Sequence, residues 1–356
     1  MLIQEQQWDL RSMTLTELET LMEENSLPKF RAGQLFDWFH RRHAASFDDM
    51  NNIPKNIREM LQQSNTLVTL SKLQCLVSEI DGTRKYLFAL PDHNVIESVW
   101  MQYKHGNSVC VSTQVGCRMG CRFCASTLDG LVRNLRASEI LEQIYRIVED
   151  TGKPVSNIVL MGSGEPMDNF DNVSRFVSLI SDPKGMNLSK RNITISTCGL
   201  IPGIRRLQEE HPQVTLALSL HAPNDQKRKE IMPVANAFAL TDIISACREY
   251  YDTTGRRVSF EYSLIQGVND NPEEAQQLSR LLKGFPCHVN LIPVNPIKER
   301  DFKRSDMQGI SAFKNLLEKN GINVTIRREM GQDIQGACGQ LRKSYLDSEA
   351  PKQETT

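Results

Sequence analysis

Three cysteines are crowded into one short segment of the chain. Cys117, Cys121 and Cys124 form a C-x3-C-x2-C pattern in the segment GCRMGCRFC, which directly follows a strand-like run. Three thiolates on so short a loop can hold one metal centre. A structural zinc site usually takes four ligands from paired C-x2-C knuckles, and the chain has no second knuckle, although Cys110 or His105 could complete a zinc site.

An iron–sulfur cluster suits this spacing better than zinc. Three cysteines on a four-iron cubane leave one iron without a protein ligand, and a substrate with an amine and a carboxylate can chelate that iron. The spacing resembles that of the radical S-adenosylmethionine (SAM) superfamily, whose members bind SAM there and cleave it reductively to a 5′-deoxyadenosyl radical. Because such chemistry belongs to the cofactor, the protein has to orient the substrate and exclude water. We therefore predict a 4Fe-4S cluster and SAM as cofactors.

A regular alternation of strands and helices follows the cysteine loop. Six apolar strand-like runs between residues 158 and 326 are separated by helix-length segments, which predicts a parallel sheet, doubly wound or rolled into a barrel. No G-x-G-x-x-G opens a helix after the first strand, so a dinucleotide-binding fold is disfavoured. Polar residues gather where the strands end, which is where barrels bind ligands. These residues are Gly164-Glu165, Ser196-Thr197, Ser219-Leu220-His221 and Asn295.

The rest of the chain divides into segments of different character. Thr14 and Glu17 form a capping-box pair in the helical first part. We predict a small N-terminal helical domain (1–70), a β-rich extension (71–109), a barrel domain (110–342) and a disordered tail (343–356). Aromatic and Arg residues interleave in 30–43, which suits stacking on unpaired bases, although a core helix with a solvated basic end is the more ordinary interpretation.

Composition limits the possible classes of protein. The chain has 356 residues, 40% of them hydrophobic, with 42 Lys plus Arg against 43 Asp plus Glu, so nucleic acid can be bound only through local patches. No run approaches the roughly 18 apolar residues of a membrane span, and the N-terminus lacks the features of a signal peptide. Nine cysteines are too few for a disulfide scaffold. We expect a cytoplasmic protein.

Several further stretches give the chain a specific family resemblance. The chain resembles the RlmN family, the radical SAM adenosine C2 methyltransferases of 23S rRNA and tRNA, with the Cfr resistance enzymes as close relatives. The resemblance runs from the N-terminal helices through Tyr345. It implies an α/β fold, namely a partial (βα)6-type radical SAM barrel with a β-extension and an RNA-binding N-terminal helical domain. The stretches that carry it are Val95-Ile96-Glu97-Ser98-Val99, Cys110 to Cys117, Gly162-Ser163-Gly164-Glu165-Pro166, Leu218-Ser219-Leu220-His221-Ala222 and Ala337-Cys338-Gly339-Gln340-Leu341.

The resemblance implies roles for individual residues. Cys117, Cys121 and Cys124 match the cluster ligands. Cys338 matches the cysteine that becomes S-methylated, Cys110 its disulfide partner and Glu97 the general base. One departure is Ser163, which replaces the second Met of the usual Met-Gly-Met-Gly-Glu-Pro and changes the packing near SAM. The positions that match SAM-contacting residues are Gly164, Glu165, Ser196, Ser219, Leu220, His221 and Asn295.

The implied reaction consumes two SAM molecules per product, because C2 of adenine has no lone pair that could attack a sulfonium methyl. Cys338 takes a methyl group from the first SAM. The second SAM then converts this methyl group into a carbon radical, which adds to C2. Glu97 then takes the C2 proton, and Cys110 attacks the Cys338 sulfur and leaves a disulfide. A buried structural thiol is the usual interpretation of a lone cysteine, but Cys338 lies among Gly and Ala.

The expected partners are 23S rRNA, tRNA and a flavodoxin or ferredoxin as electron donor, with the protein itself a monomer. The alternatives are Cfr-type methylation at C8, against which Gly164-Glu165-Pro166 argues by analogy, and a non-catalytic iron–sulfur or zinc RNA-binding protein. Phosphate contacts and ordinary solvated charge are equally good interpretations of several basic residues. These are Arg31, Arg41, Arg42, Arg327 and Arg328.

Overall fold

The structure, a computed structural model, describes residues 8–104, 106–297, 299–334 and 345. Cys338, the predicted methyl carrier, lies outside the described residues, as does His105. The predicted tail also lies outside them, apart from Tyr345.

The N-terminal part consists of three helices and a short pair of parallel strands. The predicted capping box is confirmed, because the Thr14 hydroxyl accepts the Glu17 N–H at 3.3 Å and the Glu17 carboxylate accepts the Thr14 N–H at 2.7 Å. This exchange satisfies two backbone donors that a helix start would leave unpaired. The elements are β1 (Trp8–Asp9), α1 (Leu15–Glu24), α2 (Phe30–His40), α3 (Lys55–Ser64) and β2 (Asn65–Thr66).

One ten-stranded mixed sheet forms the centre of the molecule. Its first four strands are antiparallel, with a turn at Asp81-Gly82 where Gly82 adopts a φ of 71°. The last of the four also pairs in parallel with the next part of the sheet, so the sheet is continuous across the predicted boundary at residue 109. The strands are β3 (Ser71–Val77), β4 (Arg84–Ala89), β5 (Val95–Tyr103) and β6 (Gly106–Cys110).

The predicted alternation of parallel strands and helices is confirmed. All sheet neighbours from β6 onward are parallel. A separate antiparallel pair, β7 and β8, lies between β6 and α4 along the chain. The elements are β7 (Gln114–Gly116), β8 (Leu131–Asn134), α4 (Ala137–Thr151), β9 (Asn157–Leu160), α5 (Phe170–Ile180), β10 (Ile193–Thr197), α6 (Ile201–Glu210), β11 (Thr215–Ser219), α7 (Asp225–Ile231), α8 (Leu240–Thr254), β12 (Val258–Leu264), α9 (Pro272–Leu281), β13 (Cys287–Pro293), α10 (Met307–Lys319) and β14 (Val324–Ile326).

A single apolar core joins the N-terminal helices to the helices that cover the sheet. Polar contacts accompany it: buried Arg11 forms an ion pair with Glu142 of α4, and His40 Nδ1 lies 2.9 Å from the hydroxyl of Tyr145. The domain boundary predicted at residue 70 stays a prediction. The apolar core contains residues from both sides of this boundary. None of the helices in the described ranges combines the length and the apolar character that crossing a bilayer requires.

Candidate active site at the carboxyl edge of the sheet

The cysteine loop begins at a tight backbone crossing. Gly116 has a φ of +76°, and a Cβ there would lie 2.0 Å from the Gly130 carbonyl oxygen, so only glycine fits. The Cys117 N–H then donates to that same oxygen at 2.9 Å. The Thr127 hydroxyl lies 2.9 Å from the carbonyl oxygens of both Cys121 and Cys124. Hydrogen bonds to backbone carbonyl groups thus hold the loop at both ends.

The three thiols lie close to one another in a mainly apolar pocket. Burial raises the pKa of the Cys117 thiol to about 12, and it raises the pKa of Cys121 well above the ordinary value, with Cys124 adding to both shifts. Met119, Ile231 and Met232 pack around them. Since thiolates are the metal-binding form, the thiols would release their protons only to a strongly cationic centre.

The arrangement of these thiols bears on which metal centre they could hold. In the described ranges, no three His, Cys, Asp or Glu side chains converge so as to hold a single ion. A single zinc ion requires that convergence, whereas each iron of a cubane takes its own thiolate. Three neighbouring thiols in a mainly apolar pocket can serve as the three cysteine ligands of an iron–sulfur cluster.

The turn after β9 packs tightly against the segment after β6. A Cβ on Gly162 would lie 2.6 Å from the Val111 carbonyl oxygen, and one on Gly164, where φ is +108°, would lie 2.6 Å from Gln114 Cβ. The side chain of Gln114 also accepts the Glu165 N–H at 2.8 Å. These close approaches place Glu165 beside the cysteine loop.

Glu165 is a buried carboxylate whose described partners are uncharged: two backbone N–H groups and the side chains of Thr197 and Cys198. Its Oε1 accepts the Met167 N–H at 3.0 Å and its Oε2 accepts the Cys198 N–H at 2.8 Å. Burial raises the pKa of Glu165, and the hydrogen bonds from Cys198 oppose that rise; no cation is among the main influences. A carboxylate with unused lone pairs can accept further N–H groups, such as those of an ammonium.

The ends of β10 and β11 bring the predicted serines together. Ser196 Oγ lies 3.2 Å from Ser219 Oγ. Leu220 and His221 follow, and both of their N–H groups donate to the Glu261 carbonyl oxygen, at 3.0 Å and 3.2 Å. The structure thus gathers four of the predicted residues at one edge.

His221 is a neutral, oriented histidine. Its Nδ1 accepts the Ser263 N–H at 2.9 Å, so the ring hydrogen is on Nε2. Burial, and then Arg228, lower its pKa to about 3. Phe123 of the cysteine loop meets the ring edge to face, with centroids 4.8 Å apart. His221 therefore links the cysteine loop to the sheet and presents an N–H donor.

Glu97 is almost fully buried, contrary to the solvent-facing position that its strand pattern alone suggests. Its Oε2 lies 3.5 Å from the Nζ of Lys85, which is also buried. Lys85 pairs with Val99 across β4 and β5, and Val99 pairs with Cys110 across β5 and β6. Because opposed residues and alternate residues of a strand share a face, Glu97, Lys85 and Cys110 point to the same side of the sheet.

The last described segment also lies on that side. Met330 packs against the apolar cluster that contains Cys110. Asp333 accepts hydrogen bonds from the Ser78 hydroxyl at 2.6 Å and the Glu79 N–H at 2.8 Å, in the turn after β3. The chain is therefore held beside Cys110 up to the last residues before 335.

Other predicted residues are more exposed. Asn295 is exposed and follows β13 at the same edge. Arg327 and Arg328 are exposed after β14, close enough to Tyr103 to influence its pKa, which burial raises. Arg31, on α2, stacks over the ring of Phe30 at 4.7 Å. Arg42, just after α2, stacks over the ring of Trp38 at 4.5 Å.

Sequence reasoning missed two buried cations at this site. Lys85 lies inside a predicted strand, and nothing in a single strand shows which residue will oppose it. Arg228 belongs to a run of charged residues that is typical of a solvated helix face. Its position three residues before buried Ile231, on the same helical face, was the available signal. Cys198 also lies in the apolar pocket with the cysteine loop.

Comparison with known proteins agrees with this geometry. The family model described as "Radical SAM superfamily" matches residues 111–278, and that of the "Ribosomal RNA large subunit methyltransferase N-terminal domain" matches residues 8–67. The first match contains the three cysteines and most of the edge residues, and the second contains the N-terminal helices.

Curated relatives and a solved structure extend the agreement over almost the whole chain. A Lachnospira eligens protein named "Probable dual-specificity RNA methyltransferase RlmN" is 57% identical over 95% of this chain and 97% of its own. A Lachnoclostridium phytofermentans protein of the same name is 58% identical over 95% of both chains. A crystal structure of a radical SAM methyltransferase from Sphaerobacter thermophilus has a TM-score of 0.90 and 43% identity, covering 94% of this chain and 98% of that one. The chain belongs to the RlmN family of radical SAM RNA methyltransferases.

Proposed function

We propose that this protein methylates C2 of an adenosine in 23S rRNA, and of an adenosine in tRNA, through an S-methylated Cys338. Dual specificity is what the names of the relatives state for those proteins. The observation that carries the proposal is the shared face of Glu97, Cys110 and the segment that leads to Cys338. A base, a second thiol and a methyl carrier are the three groups that the chemistry requires of the chain.

The distance along the chain supports the part given to Cys338. Asp333 is hydrogen-bonded to the turn after β3, and Cys338 follows it by five residues. Five residues span at most about 18 Å when fully extended. The connection to Cys338 therefore begins on the side of the sheet that carries Cys110 and Glu97.

The residues at the carboxyl edge fit the two cofactors. Cys117, Cys121 and Cys124 would hold a 4Fe-4S cluster, which when bound supplies the electron that splits SAM into methionine and a 5′-deoxyadenosyl radical. Glu165 would offer carboxylate oxygens to the SAM ammonium. The paired hydroxyls of Ser196 and Ser219 lie at the same edge of the sheet. The remaining SAM contacts that we propose are Gly164, Leu220, His221 and Asn295.

The other side chains complete the transfer. The Cys338 thiolate would attack the methyl carbon of one SAM and displace S-adenosylhomocysteine. The resulting methylthioether would lose a hydrogen atom to the 5′-deoxyadenosyl radical, which becomes 5′-deoxyadenosine, before its carbon adds to C2. Glu97 takes the proton from C2, with Lys85 as the counter-charge of its buried carboxylate. The adduct gives up its unpaired electron to a one-electron acceptor. Cys110 then attacks the Cys338 sulfur, so that the carbon–sulfur bond breaks and a disulfide remains, which a reductant must open before the next turnover.

We assign RNA contacts to two basic regions. Arg327 and Arg328 are exposed beside the face that carries Cys110, where phosphates next to the target adenosine would lie. Phe30 is 61% exposed with Arg31 stacked on it, a pair that suits an unpaired base. The N-terminal helices (1–70) would thus form the RNA-binding part, the β-rich segment (71–109) the support for Glu97, and residues 110–342 the catalytic barrel.

The position of methylation can be tested with isotopes. Two RNA transcripts are prepared, one deuterated at C2 of adenosine and one at C8, and each is incubated with reconstituted protein, SAM and a reductant. Mass spectrometry of the nucleosides should show that the product loses the C2 label and keeps the C8 label. Retention of the C2 label in a methylated product would contradict C2 methylation, and loss of the C8 label would establish the Cfr-type reaction.

A further inference from the structure

Arg228 is a fully buried arginine behind the cysteine loop, on the short helix α7. Its Nε donates to the Leu220 carbonyl oxygen at 3.2 Å. Its Nη2 donates to the carbonyl oxygens of Cys198 at 2.5 Å and Ser219 at 3.3 Å. Nη1 is also buried, and among the described residues it has no acceptor. The three residues that accept these hydrogen bonds therefore lie at the edge where SAM and the cluster would bind.

The hydrogen bonds of Arg228 go only to neutral carbonyl groups. In the described part of the chain it forms no ion pair; the nearest carboxylate that influences it, Asp225, accepts the Leu240 N–H at 2.8 Å. Burial lowers the pKa of Arg228, and the charged groups that most oppose this are the thiols of Cys198 and Cys121. A buried guanidinium without an anion is strongly unfavourable, so the position suits an anionic partner.

A second buried arginine shows what a satisfied site looks like in the same molecule. Arg11 is equally buried, and it pairs with the carboxylate of Glu142 while donating to the Val68 carbonyl oxygen at 2.8 Å. Its counter-charge is part of the polypeptide. For Arg228 the counter-charge has to come from a group that binds at the edge.

We propose that Arg228 is a positioning residue that supplies the counter-charge, and one N–H donor, to the anionic iron–sulfur centre held by Cys117, Cys121 and Cys124. The inference rests on the proposed function only in its assignment of the cluster to these cysteines. Three thiolates make the centre negative, and reduction adds one more negative charge. A fixed cation in a low-dielectric pocket therefore stabilises the reduced centre more than the oxidised one and raises its reduction potential.

The carboxylate of SAM is the competing anion at this edge. The position of Arg228 favours the cluster, because its helix α7 contacts the cysteine loop directly: the Arg122 N–H donates to the Ile231 carbonyl oxygen at 2.8 Å, and Ile231 packs in one apolar cluster with Cys117. The two partners differ in a measurable way: the cluster is present without SAM, so its potential can be titrated before any SAM is added.

The test compares Arg228→Gln with Arg228→Lys in anaerobically reconstituted protein. Both variants retain a donor for the carbonyl oxygens, but only Lys retains the charge. In an EPR-monitored redox titration without SAM, we expect Arg228→Gln to lower the ratio of reduced to oxidised cluster at a fixed potential about tenfold, which is 59 mV for one electron. Arg228→Lys should stay close to wild type.

Each other outcome is decisive. An unchanged reduction potential in Arg228→Gln would overturn the proposal. If SAM binding were weaker in that variant, the SAM carboxylate would be the partner of Arg228. An Arg228→Gln protein that unfolds even without iron, while Arg228→Lys folds, would show that the charge serves the polypeptide itself and would also overturn it. A folded Arg228→Gln protein that loads no iron, beside an Arg228→Lys protein that does, supports it. Since the titration needs no RNA, a shifted potential with no methylated RNA would refute the proposed function and leave this inference standing.

Discussion

The N-terminal helices and the carboxyl edge of the sheet both bury charged side chains, but they neutralise them differently. In the first region, Arg11 and Glu142 form an ion pair with each other, and Arg146 lies 3.3 Å from Glu142 as well. At the edge, the described partners of the buried Glu165 are uncharged N–H, hydroxyl and thiol groups, and those of the buried Arg228 are carbonyl groups.

This difference separates a region that is complete by itself from one that is built for bound groups. A buried charge is tolerated when it is paired, and the chain provides the partner where the role is structural. At the edge, a carboxylate and a guanidinium remain without opposite charges in the described ranges, although both lie near Cys121. An ammonium and an anionic metal centre would neutralise them, which matches the cofactors of the family.

The largest effect is expected from the cysteine loop, compared with a thiol buried elsewhere. Cys121→Ala should abolish both iron loading and RNA methylation, because the cluster loses one of its three ligands. Cys247→Ala is the matched control: this thiol is buried in α8, where burial raises its pKa to about 12, and it should keep its iron. Iron and sulfide assays decide the matter, and full iron in Cys121→Ala would contradict the ligand assignment.

The next largest effect on turnover is expected from Glu97, the proposed base. Glu97→Gln keeps the shape of the side chain but cannot take a proton, so turnover should fall by about 10²–10⁴-fold. Because the step that fails comes after carbon has joined C2, a covalent complex of protein and RNA should accumulate, visible on a denaturing gel. Glu261→Gln is the control, since Glu261 is also buried in the sheet but belongs to β12. A Glu97→Gln protein that turns over normally would remove Glu97 from the mechanism.

Stability should distinguish the two buried arginines. Arg11→Met removes the fully buried one of the two cations that pair with Glu142 and leaves only Arg146, which should lower the free energy of unfolding by up to about 3–5 kcal/mol. The double variant Arg11→Met/Glu142→Leu should recover much of that loss. In iron-free protein, Arg228→Gln should cost far less than Arg11→Met. Urea unfolding measures all three, and equal losses for Arg11→Met and Arg228→Gln would contradict the distinction between the regions.

A smaller, pH-dependent effect is expected at His40. Burial, with Arg11 nearby, lowers its pKa from 6.5 to about 3 in the folded protein. Above pH 6.5 the histidine is neutral in both states and costs nothing. As the pH falls toward 3, only the unfolded chain takes up the proton, so stability is lost progressively, by about 2 kcal/mol at pH 5. His40→Gln should flatten the dependence of Tm on pH in this window, whereas His93→Asn, at an exposed position, should not.

The sequence predicted the parts of the fold that are written in local patterns. The capping box at Thr14 and the alternation of strands and helices from β9 to β14 are both local signals, and both are confirmed. The continuity of the β-extension with the parallel sheet could not be predicted, because the pairing of β6 with β9 joins residues about fifty positions apart. The helix α7 was missed because seven residues rich in charge give little apolar periodicity.

The candidate site was predictable where residue identity carries the chemistry. The cysteines and the Gly164-Glu165 turn are recognisable from type and spacing, and the structure brings them to one edge. Lys85 and Arg228 could not be identified in the same way, since their importance comes from burial and from partners on other strands or loops. A charged residue in a sequence gives no sign of whether its counter-charge lies in the protein or in a bound group.

The most direct test of the central claim follows the methyl group. Protein loaded with SAM that carries a trideuterated methyl is incubated with RNA, and both the peptide that contains Cys338 and the modified adenosine are analysed by mass spectrometry. Transfer through Cys338 predicts a trideuteromethyl group on that cysteine and a product that keeps two of the three deuterons, because one leaves as a hydrogen atom before the carbon joins C2. An unlabelled Cys338 peptide, or a product that keeps all three deuterons, would contradict this account.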